Sequence, residues 1–384
     1  MKNVAILGST GSIGQAVLEV IAHLKDNFKV FAISANRNVS LLEEQIEKYH
    51  PKIVCITDRE AIKRFKPKSG LVLLKGEKGL SEIASHPSVD VVVNALVGSV
   101  GIYPTMEAIK HGKRLAIANK EVLVAYGGII GNLTKENNAV ILPIDSEHSA
   151  IHQALSISKE PLKRIILCAS GGPFLNKPIT ANISPEEALS HPVWRMGKKV
   201  TIDSSTLMNK GLEIIEASQL FGIPSSKIDV LVHPQSVIHS MVEFVDGSII
   251  AQMSLPDMRL PIQYALTYPE RLPSLVGSLD LEKVRMFEFF PPDFNKFPCL
   301  ELAYRASEIG GTMPAVMSAS DEVAVNAFLS KKISLPDIPQ IIKVVMDRHK
   351  PKNNQEIEDI KISEEWSRRE TENVINSGSC SYRA

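Results

Sequence analysis

The chain has 384 residues, which is enough for two or three domains, and its hydrophobic (44%) and charged (22%) fractions are typical of a globular protein. Its 43 Lys and Arg residues balance its 43 Asp and Glu residues, which argues against a nucleic-acid-binding protein because such proteins usually carry a basic excess. The apolar runs are far shorter than the roughly 18 residues of a membrane span, so we expect neither nucleic acid nor a membrane as a partner.

The chain begins with an apolar run. The start MKNVAILG leads directly into a glycine-rich turn without a cleavage-site pattern, so we interpret it as a strand and not as a signal peptide. The four cysteines are Cys55, Cys168, Cys299 and Cys380, and none forms a C-x-x-C pair. Cys55 and Cys168 lie in strand-like runs, where we expect buried thiols. A reducing compartment fits this pattern, and we expect a cytoplasmic protein.

Residues 1–145 alternate apolar strands with helical patterns. The candidate strands are VAILG, VFAIS, KIVCIT, LVLL, VDVVVNAL, RLAIAN and AVILPI. Between the first two strands, SIGQAVLEVIAHL carries apolar residues at helical spacing. A repeated order of strand, helix and strand predicts an α/β fold with a doubly wound, Rossmann-like parallel sheet.

The first strand-to-helix turn has the glycines of a dinucleotide-binding loop. VAILGSTGSIG places Gly8, Gly11 and Gly14 between a strand and a helix. Glycines allow a pyrophosphate to approach the backbone, and the helix N-terminus offers N–H groups and a favourable dipole. The spacing is G-x-x-G-x-x-G, and a plain strand-to-helix turn is the alternative.

The second and sixth strands end in polar residues. The second ends ISANRN, where Arg37 lies between Asn36 and Asn38 and no acid is present. This favours the 2′-phosphate of NADP(H) over NAD, although Arg37 could be a solvated loop charge. The run LAIANKEVLVA places Asn119, Lys120 and Glu121 at a strand end, where a ligand site and a capped helix start are equally compatible with the pattern.

Two carboxylates follow the seventh strand in PIDSEH. In an extended segment Asp145 and Glu147 would lie on the same side, where a cation or a shared proton would have to offset their repulsion, and His148 would point away. Oxygen ligands favour Mg²⁺ or Mn²⁺ over Zn²⁺. A third carboxylate could come from Glu213 or Glu216, which lie three apart on a predicted helix, although both could be solvated.

Two further motifs present donors suited to a phosphate. ASGGPF carries Ser170, and DSSTLMNKGLE carries Ser204, Asn209 and Lys210 near a helix start. Ser204 could equally be an N-cap that needs no ligand.

The segment SHPVWRMGKK has the character of a lid. Trp194 and Met196 are large apolar residues bounded by Gly and Pro, and a loop that closes over a substrate has this composition. Trp194 could instead belong to the core. His191 could bind an anion or a hydroxyl, or end the preceding helix.

The rest of the chain divides into segments of different predicted secondary structure. Residues 146–275 read as a central α+β domain, with one long helix from Ser205 to Phe221 and a hairpin, SVIHSMVEF and SIIAQMSL, turning at Asp246-Gly247. Residues 276–297 read as a connector, and helical patterns over 298–384 predict a C-terminal helical bundle. We therefore expect an NADPH-binding domain at 1–145, a catalytic domain at 146–275 and a helical domain at 298–384.

The motifs GSTGSIG, ANKE, PIDSEH, ASGGPF, HPVWRMG, DSSTLMNKGLE and HPQSVIHSMVEF occur in this order. Together they resemble the 1-deoxy-D-xylulose 5-phosphate reductoisomerase family over about residues 1 to 330. The resemblance implies an enzyme that uses NADPH and a divalent metal. It would convert 1-deoxy-D-xylulose 5-phosphate, a small phosphosugar, to 2-C-methyl-D-erythritol 4-phosphate, by rearrangement and then reduction, in non-mevalonate isoprenoid biosynthesis. The resemblance also implies a homodimer, and the hairpin could pair across its two-fold axis.

The resemblance assigns roles to residues of this chain. The implied metal ligands are Asp145, Glu147 and Glu213, with Glu216 in a supporting role. The expected catalytic group consists of these three ligands and Lys120. The implied substrate contacts are Ser146, Glu147, Ser170, His191, Ser204, Asn209, Lys210 and Glu213. The implied cofactor contacts are Thr10, Gly11, Ser12, Ile13, Asn36, Arg37, Asn38, Asn119, Lys120, Glu121 and Gly197. Trp194 and Met196 fall in a mobile flap over residues 186–197.

Two positions depart from the family pattern. Members often have Gly-Lys-Asn after the second strand, where this chain has Ala35 followed by Asn36, Arg37 and Asn38. Arg195 lies inside the flap, where a small or uncharged residue also occurs.

Two other functions are compatible with parts of the sequence. A two-domain NADP-dependent dehydrogenase of the semialdehyde dehydrogenase type would need a nucleophilic cysteine, and Cys168 in its apolar strand is a poor candidate. A non-catalytic NADP sensor would need no carboxylate cluster and would bind NADPH without consuming it.

Overall fold

The structure is a computed structural model that describes residues 1–67, 69–157, 161–353 and 356–378. The chain forms two compact units. The first contains Met1–Val122, Ile130–His152 and Asp257–Ser278, and the second contains Leu123–Ile129, Gln153–Pro256 and the chain from Leu279 onward. Cys380 and the last six positions of the expected helical domain lie outside the described residues.

The first unit contains a seven-stranded sheet in the order β4-β3-β2-β1-β5-β6-β7. Every neighbouring pair is parallel, as predicted from the apolar runs. The order runs outward in both directions from β1, so the topological switch point lies between β1 and β5. The strands are β1 (Lys2–Leu7), β2 (Phe28–Ala35), β3 (Ile53–Ile56), β4 (Val72–Lys75), β5 (Val91–Asn94), β6 (Arg114–Ile117) and β7 (Ile141–Pro143).

Helices follow the strands of this sheet. They are α1 (Ser12–His23), α2 (Val39–Tyr49), α3 (Arg59–Arg64), α4 (Gly76–Ser85), α5 (Ile102–Lys110), α6 (Lys120–Glu136) and α7 (Ser146–Leu155). In α1 the predicted apolar spacing places Val17, Val20 and Ile21 in the core. The start of α7 at Ser146 corrects the expectation of an extended DSEH segment, because Asp145 ends the extended chain and Glu147 already lies in the first helical turn.

The second unit contains a four-stranded sheet in the order β11-β10-β8-β9. Its strands are β8 (Leu162–Ala169), β9 (Ile228–Val232), β10 (Ile238–Phe244) and β11 (Ile249–Met253). The predicted hairpin is present: β10 and β11 are antiparallel, and Gly247 in the turn has a φ of +87° that favours glycine. β8 and β9 are parallel, so this sheet is mixed.

The remaining helices are α8 (Pro185–Ala188), α9 (Lys198–Ser205), α10 (Met208–Phe221), α11 (Arg259–Thr267), α12 (Leu281–Val284), α13 (Pro298–Ile309), α14 (Met313–Leu329), α15 (Asp337–Arg348) and α16 (Ile357–Ser377). Helix α11 returns to the first unit and adds Ile262, Ala265 and Leu266 to the core around β1 and α1. Helices α13 to α16 share one apolar core with α10, as the predicted helical bundle requires. Among the described residues, no helix is both long and apolar enough to span a membrane.

The predicted single helix from Ser205 to Phe221 is wrong at its start. Helix α9 ends at Ser205 and α10 begins at Met208. Between them Leu207 has a left-handed backbone (φ +58°), which a regular right-handed helix does not allow. The hydroxyl of Thr206 accepts the N–H of Met208, where the new helix starts.

Candidate active site

The turn between β1 and α1 exposes backbone N–H groups at the carboxyl end of the sheet. Gly11 is the N-cap of α1 and supplies no side-chain acceptor for the first N–H groups. A Cβ added at Gly11 would meet only the carbonyl oxygen of Gly8, at 3.5 Å, so the backbone is accessible there. Gly14 is different, because its Cβ would lie 2.3 Å from that same oxygen. The turn therefore combines an open edge with tight packing beneath it, which fits a pyrophosphate group.

A buried polar pair beneath this turn was missed by sequence reasoning. The hydroxyl of Ser9 donates to Gln45 Oε1 at 2.7 Å, and Gln45 Nε2 donates to the carbonyl of Ser9 at 2.9 Å. Ser34 accepts the N–H of Gly8 at 2.9 Å. Gln45 occupies an otherwise apolar face of α2, and a polar residue at a core position was the only signal that could have revealed it.

The residues after β2 are exposed. Arg37 has 81% of its side chain exposed, and its Nε donates to Asp58 Oδ2 at 3.2 Å. Asn36 is exposed, and the side-chain oxygen of Asn38 caps α2 by accepting the N–H of Leu41. Arg37 is thus oriented by an acid at the end of the next strand while its guanidinium remains open to solvent.

Asn119 is a helix cap. Its side-chain oxygen accepts the N–H of Val122, and its Nδ2 donates to the carbonyl of Gly98 at 2.9 Å. A Cβ at Gly101 would lie 2.4 Å from this amide nitrogen, so the loop after β5 closes tightly over it. This local role fixes the start of α6, where Lys120 and the half-buried Glu121 follow.

Lys120 and His148 converge on Asp145. Lys120 Nζ is ion-paired with Asp145 Oδ2, and His148 Nδ1 donates to Asp145 Oδ1 at 2.7 Å. Burial alone would raise the pKa of the Asp145 carboxyl, but Lys120 and then His148 outweigh it and hold the pKa well below its usual range. His148 therefore faces Asp145, which corrects the expectation that it would point away. Ser146 donates to Glu147 Oε2 at 2.6 Å.

In the second unit, Ser170 and His191 form a polar pair. His191 Nδ1 accepts the N–H groups of Val193 (3.1 Å) and Trp194 (2.8 Å), so the ring proton is on Nε2, which donates to Ser170 Oγ at 2.9 Å. Ser170 Oγ also accepts the N–H of Gly172. Because Ser170 already accepts two hydrogen bonds, its own proton can be donated to a ligand oxygen. Burial lowers the pKa of His191, which favours this neutral ring.

The first turns of α10 form a buried ionic group. Glu213 is fully buried and pairs with Lys210 Nζ through one oxygen, while its other oxygen accepts Asn209 Nδ2 at 2.6 Å. Asn209 Oδ1 is buried and has no hydrogen-bond partner among the described residues. Glu216 is also buried. The alternative of two solvated glutamates is therefore wrong, and the unsatisfied amide oxygen suits a ligand hydroxyl.

The predicted flap contains the short helix α8 and an irregular segment. Trp194 and Met196 are half-buried and Arg195 is exposed. The Trp194 ring lies 6.1 Å from the ring of His239 on β10, so Trp194 contacts a neighbouring element and is not fully buried in a core. Gly197 is the N-cap of α9.

Within each unit the structure groups the predicted residues. In the first unit it brings together Lys120, Asp145 and His148. In the second it joins Ser170 to His191, and Asn209 and Lys210 to Glu213. Ser204 lies in the last turn of α9, and its carbonyl oxygen would be 2.6 Å from a Cβ at Gly172, so the two motifs that were expected to bind phosphate are in close contact.

Matches to known proteins extend over most of the chain. The family model of 1-deoxy-D-xylulose 5-phosphate reductoisomerase matches residues 4–127, and two models of the C-terminal domain of that enzyme match residues 141–221 and 253–370. The reductoisomerase of Thermodesulfovibrio yellowstonii is 48% identical over 96% of this chain and 98% of its own length. The chain belongs to the 1-deoxy-D-xylulose 5-phosphate reductoisomerase family. The resemblance and the oxidoreductase class predicted from the sequence are confirmed.

Further relatives and solved structures of this family agree. The reductoisomerase of Caldanaerobacter subterraneus subsp. tengcongensis is 50% identical over 94% of this chain and 96% of its own length. A structure of DOX-P reductoisomerase with NADPH, fosmidomycin and magnesium has a TM-score of 0.94 and 38% identity, and covers 99% of this chain and all of that chain (100%). The Zymomonas mobilis reductoisomerase with NADPH has a TM-score of 0.89 and 41% identity, covering 98% and 99%. These matches confirm the predicted fold class.

Proposed function

We propose that this chain catalyses the NADPH- and divalent-metal-dependent conversion of 1-deoxy-D-xylulose 5-phosphate to 2-C-methyl-D-erythritol 4-phosphate in isoprenoid precursor synthesis. The observation that carries the proposal is the near full-length match to a reductoisomerase structure that contains NADPH, fosmidomycin and magnesium. It agrees with the cofactors predicted from the sequence. The semialdehyde dehydrogenase alternative is further weakened because Cys168 is buried.

For NADPH, we propose the contacts that the family resemblance implies. The open N-terminus of α1 at Gly11 supports a pyrophosphate there, and the exposed guanidinium of Arg37 supports a 2′-phosphate. Asn38 and Asn119 would contribute through the caps that order their loops. The full proposed set is Thr10, Gly11, Ser12, Ile13, Asn36, Arg37, Asn38, Asn119, Lys120, Glu121 and Gly197.

For the metal, we propose Asp145, Glu147 and Glu213 as ligands. All three offer carboxylate oxygens, which suit Mg²⁺ or Mn²⁺. Asp145 and Glu213 each bind a lysine ammonium, so each carboxylate already attracts a cation. When bound, the metal would polarise substrate oxygens as a Lewis acid, and NADPH would supply the hydride. Lys120 and Lys210 would then be placed beside the metal, where their ammonium groups can bind substrate oxygens.

The phosphate end of the substrate would be held by Ser170, Ser204, Asn209 and Lys210. The hydroxyl proton of Ser170 and the buried ammonium of Lys210 are donors suited to phosphate oxygens. Binding energy at this remote group can orient the reacting end and favour closure of the flap, where His191, Trp194 and Met196 lie. This division of roles keeps 1–145 for NADPH, 146–275 for catalysis and 298–384 for structural support.

We also propose a cytoplasmic homodimer. Strand β11 is at the edge of its sheet, and its burial pattern alternates so that Ile249 (51%) and Met253 (40%) are exposed. An edge strand with exposed apolar side chains is a template for pairing with a second chain. The β10–β11 hairpin is therefore the proposed contact.

The test is NADPH oxidation by the purified chain with 1-deoxy-D-xylulose 5-phosphate. We expect substrate-dependent oxidation that EDTA abolishes and Mg²⁺ or Mn²⁺ restores. Asp145→Asn and Glu213→Gln should each lower turnover at least about 100-fold, because each removes a charge from the metal site, while NADPH still binds. Glu136→Gln, at the exposed end of α6, is the control.

Each outcome has a distinct meaning. NADPH binding without oxidation would favour the non-catalytic NADP sensor. NADPH oxidation that EDTA does not reduce would favour a dehydrogenase that needs no metal. Near-normal turnover by either carboxamide variant would remove that residue from the ligand set.

A further inference from the structure

We propose that Lys199 and Asp321 are positioning residues for the phosphate end of the substrate site, an inference that rests on the proposed function. Their ion pair would anchor α9, the helix that follows the flap and carries Ser204, to α14 of the helical bundle. Neither residue is among the predicted substrate, cofactor or metal contacts.

The anchor is a buried bridge between two acids. Lys199 Nζ lies 2.6 Å from Asp203 Oδ2 on its own helix and 2.7 Å from Asp321 Oδ2 on α14. The side chains of Asp203 and Asp321 are 3% and 0% exposed, and that of Lys199 is 20% exposed. Removing one partner of a buried pair leaves an uncompensated charge, so this contact holds its geometry strongly.

Helix α9 has little local stabilisation besides the Lys199–Asp203 pair within it. It has eight residues, which is too short to be stable alone in water. Its N-cap, Gly197, supplies no side-chain hydrogen bond, and its first turn contains no acid. Instead it begins with Lys198 and Lys199, whose charges oppose the helix dipole. A lysine placed against these local preferences is explained by its contact with Asp321.

The position of α9 matters at both of its ends. Its N-terminus directly follows Trp194, Arg195 and Met196 of the flap, and its last turn carries Ser204. A Cβ at Gly172 would lie 2.6 Å from the carbonyl oxygen of Ser204, so the end of α9 packs closely against the loop that carries Ser170. Fixing α9 therefore fixes both proposed phosphate-binding serines and one end of the flap.

A role in stability alone explains the bridge less well. Asp321 Oδ1 is fully buried and has no hydrogen-bond partner among the described residues, which is a cost. An apolar pair of similar volume is often as stable as a buried ion pair or more so. A directional contact between α9 and α14 gives a reason to keep the charges.

The test uses the full-length chain with Asp321→Asn, which keeps the shape of the side chain but removes its charge. Limited trypsin digestion without ligands would report cleavage after Arg195 and Lys198, and kinetics would report kcat and both KM values. We expect faster cleavage at these two sites, and a substrate KM raised about 10-fold or more because α9 is misplaced. The KM for NADPH should rise less than the substrate KM, because Gly197 is the only proposed cofactor contact next to α9, and Asp321→Glu should restore part of the effect.

Glu322→Gln is the matched control. Glu322 is the next residue of α14 and pairs with Arg368 of α16 at 2.7 Å, so its loss breaks an ion pair that does not reach α9. This variant should match the unmodified chain in cleavage and kinetics.

If trypsin cleaves Asp321→Asn after Arg195 and Lys198 no faster than it cleaves the unmodified chain, the anchor is contradicted. Faster cleavage with an unchanged substrate KM, or a rise in cleavage at every site, would overturn the positioning role. The proteolysis reports the anchor without turnover, so an inactive unmodified chain would contradict the proposed function while leaving the anchor testable. If Asp321→Asn does not fold, Asp321→Glu and Lys199→Arg are compared by the same two readouts.

Discussion

His191 shows how one side chain can join Ser170, a proposed substrate contact, to the flap. Its Nδ1 accepts two backbone N–H groups while its Nε2 donates to Ser170. The two hydrogen bonds that Nδ1 accepts need the neutral ring with its proton on Nε2. A proton added at Nδ1 would turn that acceptor into a donor and break the two backbone hydrogen bonds.

We expect low pH to break the two hydrogen bonds between His191 and the backbone of the flap. Burial lowers the pKa of His191 in the folded chain, while the unfolded chain keeps the usual value of about 6.5. The contribution of the neutral ring is therefore complete above about pH 6.5 and is lost as pH falls toward the lower folded pKa. kcat/KM should fall below pH 6.5, as the folded chain takes up one proton at His191 around its lowered pKa.

The measurement compares pH profiles of kcat/KM for the unmodified chain and for His191→Asn. Asn can keep an acceptor near the position of Nδ1 but does not titrate. The substrate phosphate also titrates near pH 6, so only the difference between the two profiles reports His191. Parallel profiles would show that His191 does not control the acid limb.

At the scale of residues, the sequence indicates which side chains are candidates for a site better than it indicates which residues they contact. Asp145 and Glu147 could be selected because few arrangements tolerate clustered carboxylates, whereas the choice of Glu213 over Glu216 rested on the family resemblance. The partners could not be read in advance: Lys120 is 25 positions from Asp145, and Arg37 is 21 from Asp58. The error at His148 has a local cause, since one residue more of helix changes the direction of every following side chain.

At the scale of elements, the β1–α1 turn contains two glycines with different constraints. Gly14 packs against the backbone beneath it, whereas Gly11 borders open space. We expect Gly14→Ala to cost about 1–3 kcal/mol of stability, because the added methyl overlaps the Gly8 carbonyl and cannot be accommodated without a shift of α1. Gly11→Ala should leave stability nearly unchanged but weaken NADPH binding, because its methyl would face the pyrophosphate.

Thermal unfolding and an NADPH fluorescence titration of the two variants would separate these effects. Equal losses of stability would contradict the distinction between the two glycines. Unchanged NADPH affinity in Gly11→Ala would remove this turn from the cofactor site.

Elements with strong periodicity were predicted well, and junctions were not. The seven apolar runs became seven parallel strands, and Asp246-Gly247 turned the hairpin, because buried strands and tight turns demand particular residue types. The break between α9 and α10 escaped prediction. A left-handed residue there would normally be glycine, and Leu207 gives no such signal because tertiary packing imposes its conformation.

At the scale of the whole molecule, the proposed dimer makes a direct prediction. Ile249→Lys places a charge on the exposed face of the edge strand β11 and should convert the dimer to a monomer in light scattering after size exclusion. Val72→Lys is the control, because Val72 is similarly exposed (52%) on β4, the edge of the other sheet. A dimer that survives Ile249→Lys would move the interface away from this strand.

The order in which the two units are assembled along the chain has a consequence for synthesis on the ribosome. The seven-stranded sheet is complete in sequence once Pro143 has been made, yet its core also needs α11. At about 5–20 residues per second, the roughly 115 residues between β7 and α11 take about 6–23 s to translate. During that interval the apolar surface that α11 later covers, on α1 and the strands beneath it, is open to other nascent segments. A chaperone that binds apolar surface would have its longest opportunity there, before residue 259 emerges.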